Sequence, residues 1–155
     1  MSDPQASRPG LHVDPLPGRE PSTDEVLAAA AEIVAAFAAT DGARYFAGFA
    51  PDASFVFHAE PARLDDRAAY ERLWAEWVGS GWRVLSCEST NQLVQPFPGG
   101  AVFSHDVATA VDTGDGEDRY AERETIVFRV DGDALVAVHE HLSPVAPAGP
   151  EASVA

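Results

Sequence analysis

Lysine is missing from this chain. All ten of its basic residues are arginine, against 25 acids, and the formal net charge is −15 over 155 residues. A field of that sign repels phosphate backbones and anionic lipid, which excludes nucleic-acid and membrane-surface roles. Cysteine is nearly absent too. Cys87 stands alone, so neither an intrachain disulfide nor a Cys-rich zinc site can be built. Apolar runs are short, and none approaches the ~20 residues needed to span a bilayer. The Ala-rich stretch from Val26 to Ala39 is interrupted by Glu32 and preceded by Asp24 and Glu25. A signal peptide wants basic residues there, so the expectation is a soluble cytoplasmic protein. Also lacking are a Gly-rich phosphate loop and a Ser-centred elbow, the usual footholds of nucleotide and acyl-enzyme chemistry.

What is present reads as one globular domain. Hydrophobic residues make up 46% and charged residues 23%, a composition that builds a core at this length. Five prolines between Pro4 and Pro21, and three more at Pro144, Pro147 and Pro150, mark a flexible arm at 1–21 and a tail at 144–155. The domain is expected over 22–143. Ser22-Thr23-Asp24-Glu25 has capping-box spacing, and Val26, Ile33 and Phe37 follow at helical intervals. Thr40 or Asp41 caps a short second helix carrying Tyr45, Phe46 and Phe49. Ser54–His58 is aromatic and β-branched, a strand. Asp65 or Asp66 opens a third helix whose Tyr70, Leu73, Trp74 and Trp77 form one stripe. After Trp82 come four long strands, 83–95, 101–112, 119–130 and 135–143, joined by short glycine-bearing turns, hence antiparallel hairpins. Three helices on one face of a strongly curved, mostly antiparallel sheet make an α+β fold with a cone-shaped pocket.

The last hairpin reads Glu122-Arg123-Glu124-Thr125-Ile126-Val127-Phe128-Arg129, an Asp131-Gly132 turn, then Val138-His139-Glu140-His141-Leu142-Ser143. Together with Phe49-Ala50-Pro51-Asp52-Ala53-Ser54-Phe55, this resembles the nuclear transport factor 2-like superfamily, in its SnoaL-like and ketosteroid-isomerase-like branch. The resemblance spans about 22–143. It implies a conical pocket, a homodimer paired through the exposed sheet face, and either a small-molecule enzyme or a non-catalytic binding or assembly module. Two departures stand out. Ile126 and Leu142 occupy positions where the related kinase association domains carry arginines. His58 lies one residue out of register with the isomerases' aspartate base, and Tyr45 is the nearest counterpart of their oxyanion-binding tyrosine.

Within that frame His58 is the leading candidate base, since an imidazole exchanges protons near neutral pH; a rim histidine bonded to a backbone carbonyl is the alternative. His105 and Asp106 are adjacent on a strand and point to opposite faces. If Asp106 lines the cone it orients His58 or serves as a second acid. By the resemblance Glu124 and Ile126 face the pocket, as do Glu140 and Leu142. A carboxyl held there has a raised pKa and acts as an acid, unless it pairs at the surface with Arg119, Arg123 or Arg129. Tyr45 or Tyr70 would donate to a developing oxyanion. Tyr70, Trp74, Trp77, Ile126 and Phe128 either close the core or form an aromatic wall. His139 and His141 share a strand face at the spacing of a metal pair, with His58 as a conceivable third ligand, or they bond across the sheet. Cys87 reads as inert on the Leu85/Leu93 side, and Asp112–Asp118 as a solvated hairpin tip. The reading that results is a cofactor-independent acid/base enzyme, an isomerase, dehydratase or cyclase for a small, largely apolar molecule. No metal or cofactor is assigned. The alternative is a ligand-binding or assembly module of the same fold.

Overall fold

A computed structural model describes residues 18–145 of the chain. Residues 1–17 and 146–155, most of the expected arm and tail, lie outside the described residues. The elements in order are α1 (Thr23–Ala38), α2 (Gly42–Ala47), β1 (Phe49–Phe57), α3 (Arg67–Gly79), β2 (Arg83–Phe97), β3 (Gly100–Asp112), β4 (Glu117–Asp131) and β5 (Ala134–Pro144).

Each helix starts where a side chain can satisfy an orphan N–H. Ser22 Oγ accepts from the Glu25 amide at 3.1 Å, Asp41 from Arg44 at 3.2 Å, and Asp66 from Ala69 at 2.8 Å. The Glu25 carboxylate is gripped by Arg19 at 2.6 and 2.9 Å, and that hydrogen bond holds it below its ordinary range. The Arg19 carbonyl accepts from the Gly99 amide, so the segment before α1 is tied to the β2–β3 turn.

The five strands run β1-β5-β4-β3-β2, with β1 parallel to β5 and every other pair antiparallel. β1 begins at Phe49, five residues earlier than the sequence pattern suggested, and takes Phe49 out of α2. The reason is its edge position: Pro51 lacks an N–H, which an edge strand tolerates, and a bulge between Phe49 and Ser54 absorbs the irregularity. Register shifts at Val84/Ser86, Thr90/Leu93 and Val127/Phe128 bend the sheet towards the helices.

The inner face of that sheet is ordered by depth. Phe55, Glu140, Ile126 and Phe103 form one cross-strand row, and Phe57, Leu142, Glu124 and His105 the next. Phe55, Ile126 and Phe103 of the first row pack with Phe46, Tyr70 and Trp74 from the helices, while Glu140 faces the hollow that opens beyond them. Beyond the second row the helices stand away from the sheet and leave a hollow.

Gly100 sits where the β4 backbone leaves no room for a side chain. A Cβ there would lie 2.2 Å from the Phe128 carbonyl oxygen. Gly100→Ala is therefore expected to cost about 1–3 kcal/mol, read as a lowered melting temperature; an unchanged melt would show that the strands can move apart freely.

Candidate active site

The hollow is a cavity of about 410 Å³, within reach of the volumes that hold small ligands. Ile33, Val34 and Phe37 of α1, Tyr70 and Trp77 of α3, and Trp82 make up its helix side. The sheet side contributes Cys87, Val107, Thr109, Tyr120 and Leu142. Five acids also line it: Glu60, Asp118, Glu122, Glu124 and Glu140.

At the floor, Tyr45 (2% exposed) donates its hydroxyl to Glu140 (3% exposed) at 3.0 Å, and Tyr45 Oη lies 3.3 Å from Tyr70 Oη. Glu140 and Glu124 sit on neighbouring strands in adjacent inward rows, and both line the cavity. Burial raises the pKa of both, Glu124 to about 8; the Glu124 charge raises Glu140 further, whereas Glu140 partly offsets the rise at Glu124. The pair therefore holds a proton at neutral pH. Burial, reinforced by the Glu140 charge, likewise pushes Tyr45 and Tyr70 well up, so both remain O–H donors.

Behind the floor lies His105, whose side chain is wholly buried. Its Nε2 is 2.7 Å from Glu124 Oε1, and its Nδ1 is 2.5 Å from Ser89 Oγ. Ser89 in turn accepts from Gln92 Nε2 at 2.9 Å, which frees its own proton for Nδ1 and leaves the Nε2–H to point at Glu124. Desolvation lowers the imidazole to about 4, so it stays neutral.

At the mouth, His58 Nε2 lies 2.5 Å from Glu122 Oε2, with side-chain exposures of 37% and 12%. Burial raises the pKa of Glu122, opposed by the hydrogen bond from His58. The pairing orients the ring and leaves Nδ1 for another partner.

The expected site residues divide. His58, Tyr45, Glu124, Tyr70, Trp77, Glu140 and Leu142 all line the cavity. Asp106 does not: it projects from the opposite face of β3, where Asn91 Nδ2 donates to it at 3.2 Å, and the side chain that turns inward is His105. Trp74, Ile126 and Phe128 belong to the packed core instead of the wall. Among the described residues Glu124 pairs with no arginine, because Arg119, Arg123 and Arg129 alternate with it on β4 and face outward. His58 follows β1 instead of ending it.

Glu122, Phe37 and Trp82 are wall residues that the sequence reading did not single out. Glu122 shares the parity of Glu124, a signal that was available. Cys87 does line the cavity, but two bulges carry Leu85 and Leu93 out to solvent. Burial lifts its thiol to about 11, which leaves it un-ionised. His139 and His141 lie on the outer face, with His139 Nδ1 2.8 Å from Ser54 Oγ. Among the described residues no group of three or more His, Cys, Asp or Glu is placed to hold a metal ion. No helix among them is long and apolar enough to cross a membrane.

Helices laid over a curved, unclosed five-strand sheet with a polar-floored hollow define the nuclear transport factor 2-like class. Within it, the SnoaL-like domain model matches residues 26–147, and the chain belongs to that family. The fold is shared with a cystatin-like-fold protein from Caulobacter vibrioides (TM-score 0.69, 19% identity, 84% of this chain and 94% of that one). A nuclear transport factor 2-like protein from Cytophaga hutchinsonii is similar at TM-score 0.70 and 9% identity, over 81% and 99%. Another, from Rhodospirillum rubrum and described as of unknown function in nutrient uptake, matches at TM-score 0.69 and 18% identity, over 79% and 100%. Such identities speak for the fold alone. No curated protein matches the sequence.

Proposed function

We propose that the cavity binds a small, largely apolar molecule and catalyses a proton transfer on it without a cofactor, as an isomerase or dehydratase does. One observation carries this reading: a histidine–carboxylate pair and a proton-holding carboxyl pair face the same apolar-walled space. His58, oriented by Glu122, takes a proton from a carbon next to a carbonyl. The electron pair moves onto the carbonyl oxygen, which is met by an O–H from Glu140 or the two tyrosines. The proton returns at a different carbon, and the enzyme ends as it began. A buried carboxylic acid kept neutral is suited to donating such a hydrogen bond.

The test is hydrogen–deuterium exchange next to the carbonyl in a panel of small cyclic ketones, followed by NMR in D2O. Wild-type protein should accelerate exchange. His58→Ala should return it to the buffer rate with little change in melting temperature, since that side chain is part exposed. Exchange that survives in His58→Ala, or that never exceeds buffer, would remove the reading.

The second reading is a non-catalytic binding module. It is favoured by the fact that each cavity carboxyl except those at the outer rim already has a protein partner: His58, His105 or Tyr45. A ketone that quenches tryptophan fluorescence without exchanging would select it.

The outer face of the sheet, where Thr125 pairs with His141 and Val127 with His139, is proposed as the contact of a homodimer. Sedimentation at micromolar concentration should show the dimer, and monomer alone would count against it.

A further inference from the structure

The cavity has a charge pattern that its proton chemistry does not require. On β4 the inward residues run Asp118, Tyr120, Glu122 and Glu124, about 7 Å apart per pair of residues. They descend from the open rim, where Asp118 and Tyr120 are exposed, to the nearly closed floor. Across the hollow from this acid-bearing strand stands an aromatic corner. Trp77 and Trp82 have ring centroids 5.3 Å apart, and Phe37 lies 6.0 Å from Trp82. Glu60 lines the cavity as well.

Among the described residues no arginine lines the cavity, and His58 is the one basic side chain on its wall. Three arginines lie near acids outside the cavity lining: Arg119 is 3.8 Å from Glu117, Arg83 3.7 Å from Asp112, and Arg63 2.6 Å from Asp65. Among the described residues, the one basic group on the wall that could meet an anionic substituent is His58, and Glu122 already engages it at 2.5 Å. A carboxylate or phosphate at the rim would face Asp118 and Glu60, which no basic side chain of the cavity wall neutralises, inside a chain already at −15.

We infer that the ligand class is an apolar body carrying an ammonium group, whose head rests at the rim between Asp118, Glu122 and the Trp77–Trp82–Phe37 corner. Aromatic faces attract such cations, most strongly when these are partly desolvated, and the flanking carboxylates add a screened Coulombic attraction. The apolar part of the molecule then fills the hollow and brings its reacting carbons between His58 and the floor. This rests on the proton-transfer reading only for what happens to the body of the ligand. The head-group preference stands on the wall alone.

Three probes of matched shape separate the possibilities: 4-phenylbutylamine, 4-phenylbutanol and 4-phenylbutyrate, titrated calorimetrically into the full chain at neutral pH and low salt. The ammonium should bind about tenfold tighter than the alcohol, and the carboxylate weakest. Added salt should narrow the gap. Asp118→Asn, an exposed rim substitution that leaves the fold intact, should weaken the amine several-fold and leave the alcohol unchanged. Equal binding of amine and alcohol, tightest binding of the carboxylate, or no binding of any probe would each overturn the inference. The first of these would leave the proton-transfer reading standing. Conversely, an amine preference in a protein that catalyses no ketone exchange would sink that reading and keep this one.

Discussion

Thermal unfolding should shift to lower temperature, by roughly 10 °C, as the pH is raised from about 6.5 to about 8.5. Most carboxyl-rich domains behave in the opposite sense in acid, because their paired carboxylates are more easily ionised folded than unfolded. Here burial lifts the folded pKa of Glu124 from 4.5 to about 8, and that of Glu140 well above its ordinary value. A raised carboxyl pKa means that the folded chain binds more protons than the unfolded one throughout the interval between the two values. Stability is then fully present at or below the unfolded value and is lost as pH climbs through the folded one.

His105 acts in the other direction but in a different window. Its folded value is lowered from 6.5 to about 4, so its contribution disappears only as pH falls through that range. Above about pH 6.5 it is neutral in both states, and the carboxyl pair dominates the slope. The loss amounts to about 2–4 kcal/mol over the interval. Glu140→Gln keeps the shape and an acceptor for Tyr45 while removing one of the two ionisations. It should cut the slope by at least about half and melt above wild type at the alkaline end. A wild-type melting temperature that rises with pH across this range, or a Glu140→Gln protein with an undiminished slope, would mean that the pair is hydrated and ionised after all.

The same burial explains why the site was only partly legible in the sequence. Strand parity is a strict code, but it does not say which face is inward: that choice came from the resemblance, and parity then groups Glu124 with Ile126 and Phe128 on β4 and Glu140 with Leu142 on β5, the residues that point inward in the structure. It also left the choice between His105 and Asp106 as a choice of face. Parity says nothing of depth, however. Ile126 and Phe128 share the face of Glu122 and Glu124 but lie in the packed end of the cone. Depth is set by where three helices stop, which no local pattern records. Bulges are equally silent: those in β2 expose Leu85 and Leu93 while Cys87 turns inward. The partner of His58 was missed for a simpler reason. Glu122 lies 64 residues away in sequence, and their meeting depends on a parallel β1–β5 pairing that needs the whole fold to form.

Trp74→Ala should be the most destabilising truncation on the helix side, at about 3–5 kcal/mol. Trp74 shared its sequence stripe with Tyr70 and Trp77, yet the three do different things. Its ring stacks on Tyr45 at 5.1 Å and 22°, and meets Trp82 at 5.1 Å, Phe46 at 5.5 Å and Phe37 at 5.9 Å edge-on. It is 6% exposed and touches α1, α2 and Trp82, the residue just before β2, at once. Removing it opens a void that cannot collapse without moving a whole helix. A domain of this size holds on the order of 5–15 kcal/mol in total, so the melting temperature should fall by about 10 °C or more. Trp77→Ala, on the cavity wall and half-buried, should cost distinctly less stability while weakening any ligand that enters. The two variants thus separate framework from wall. The stacking also fixes the Tyr45 ring whose hydroxyl reaches Glu140, so Trp74→Phe should recover most of the stability and the floor geometry, as an aromatic face is retained. A Trp74→Ala protein melting within about 2 °C of wild type would show that the aromatic cluster is loosely packed, and that the floor of the cavity is held by something other than these rings.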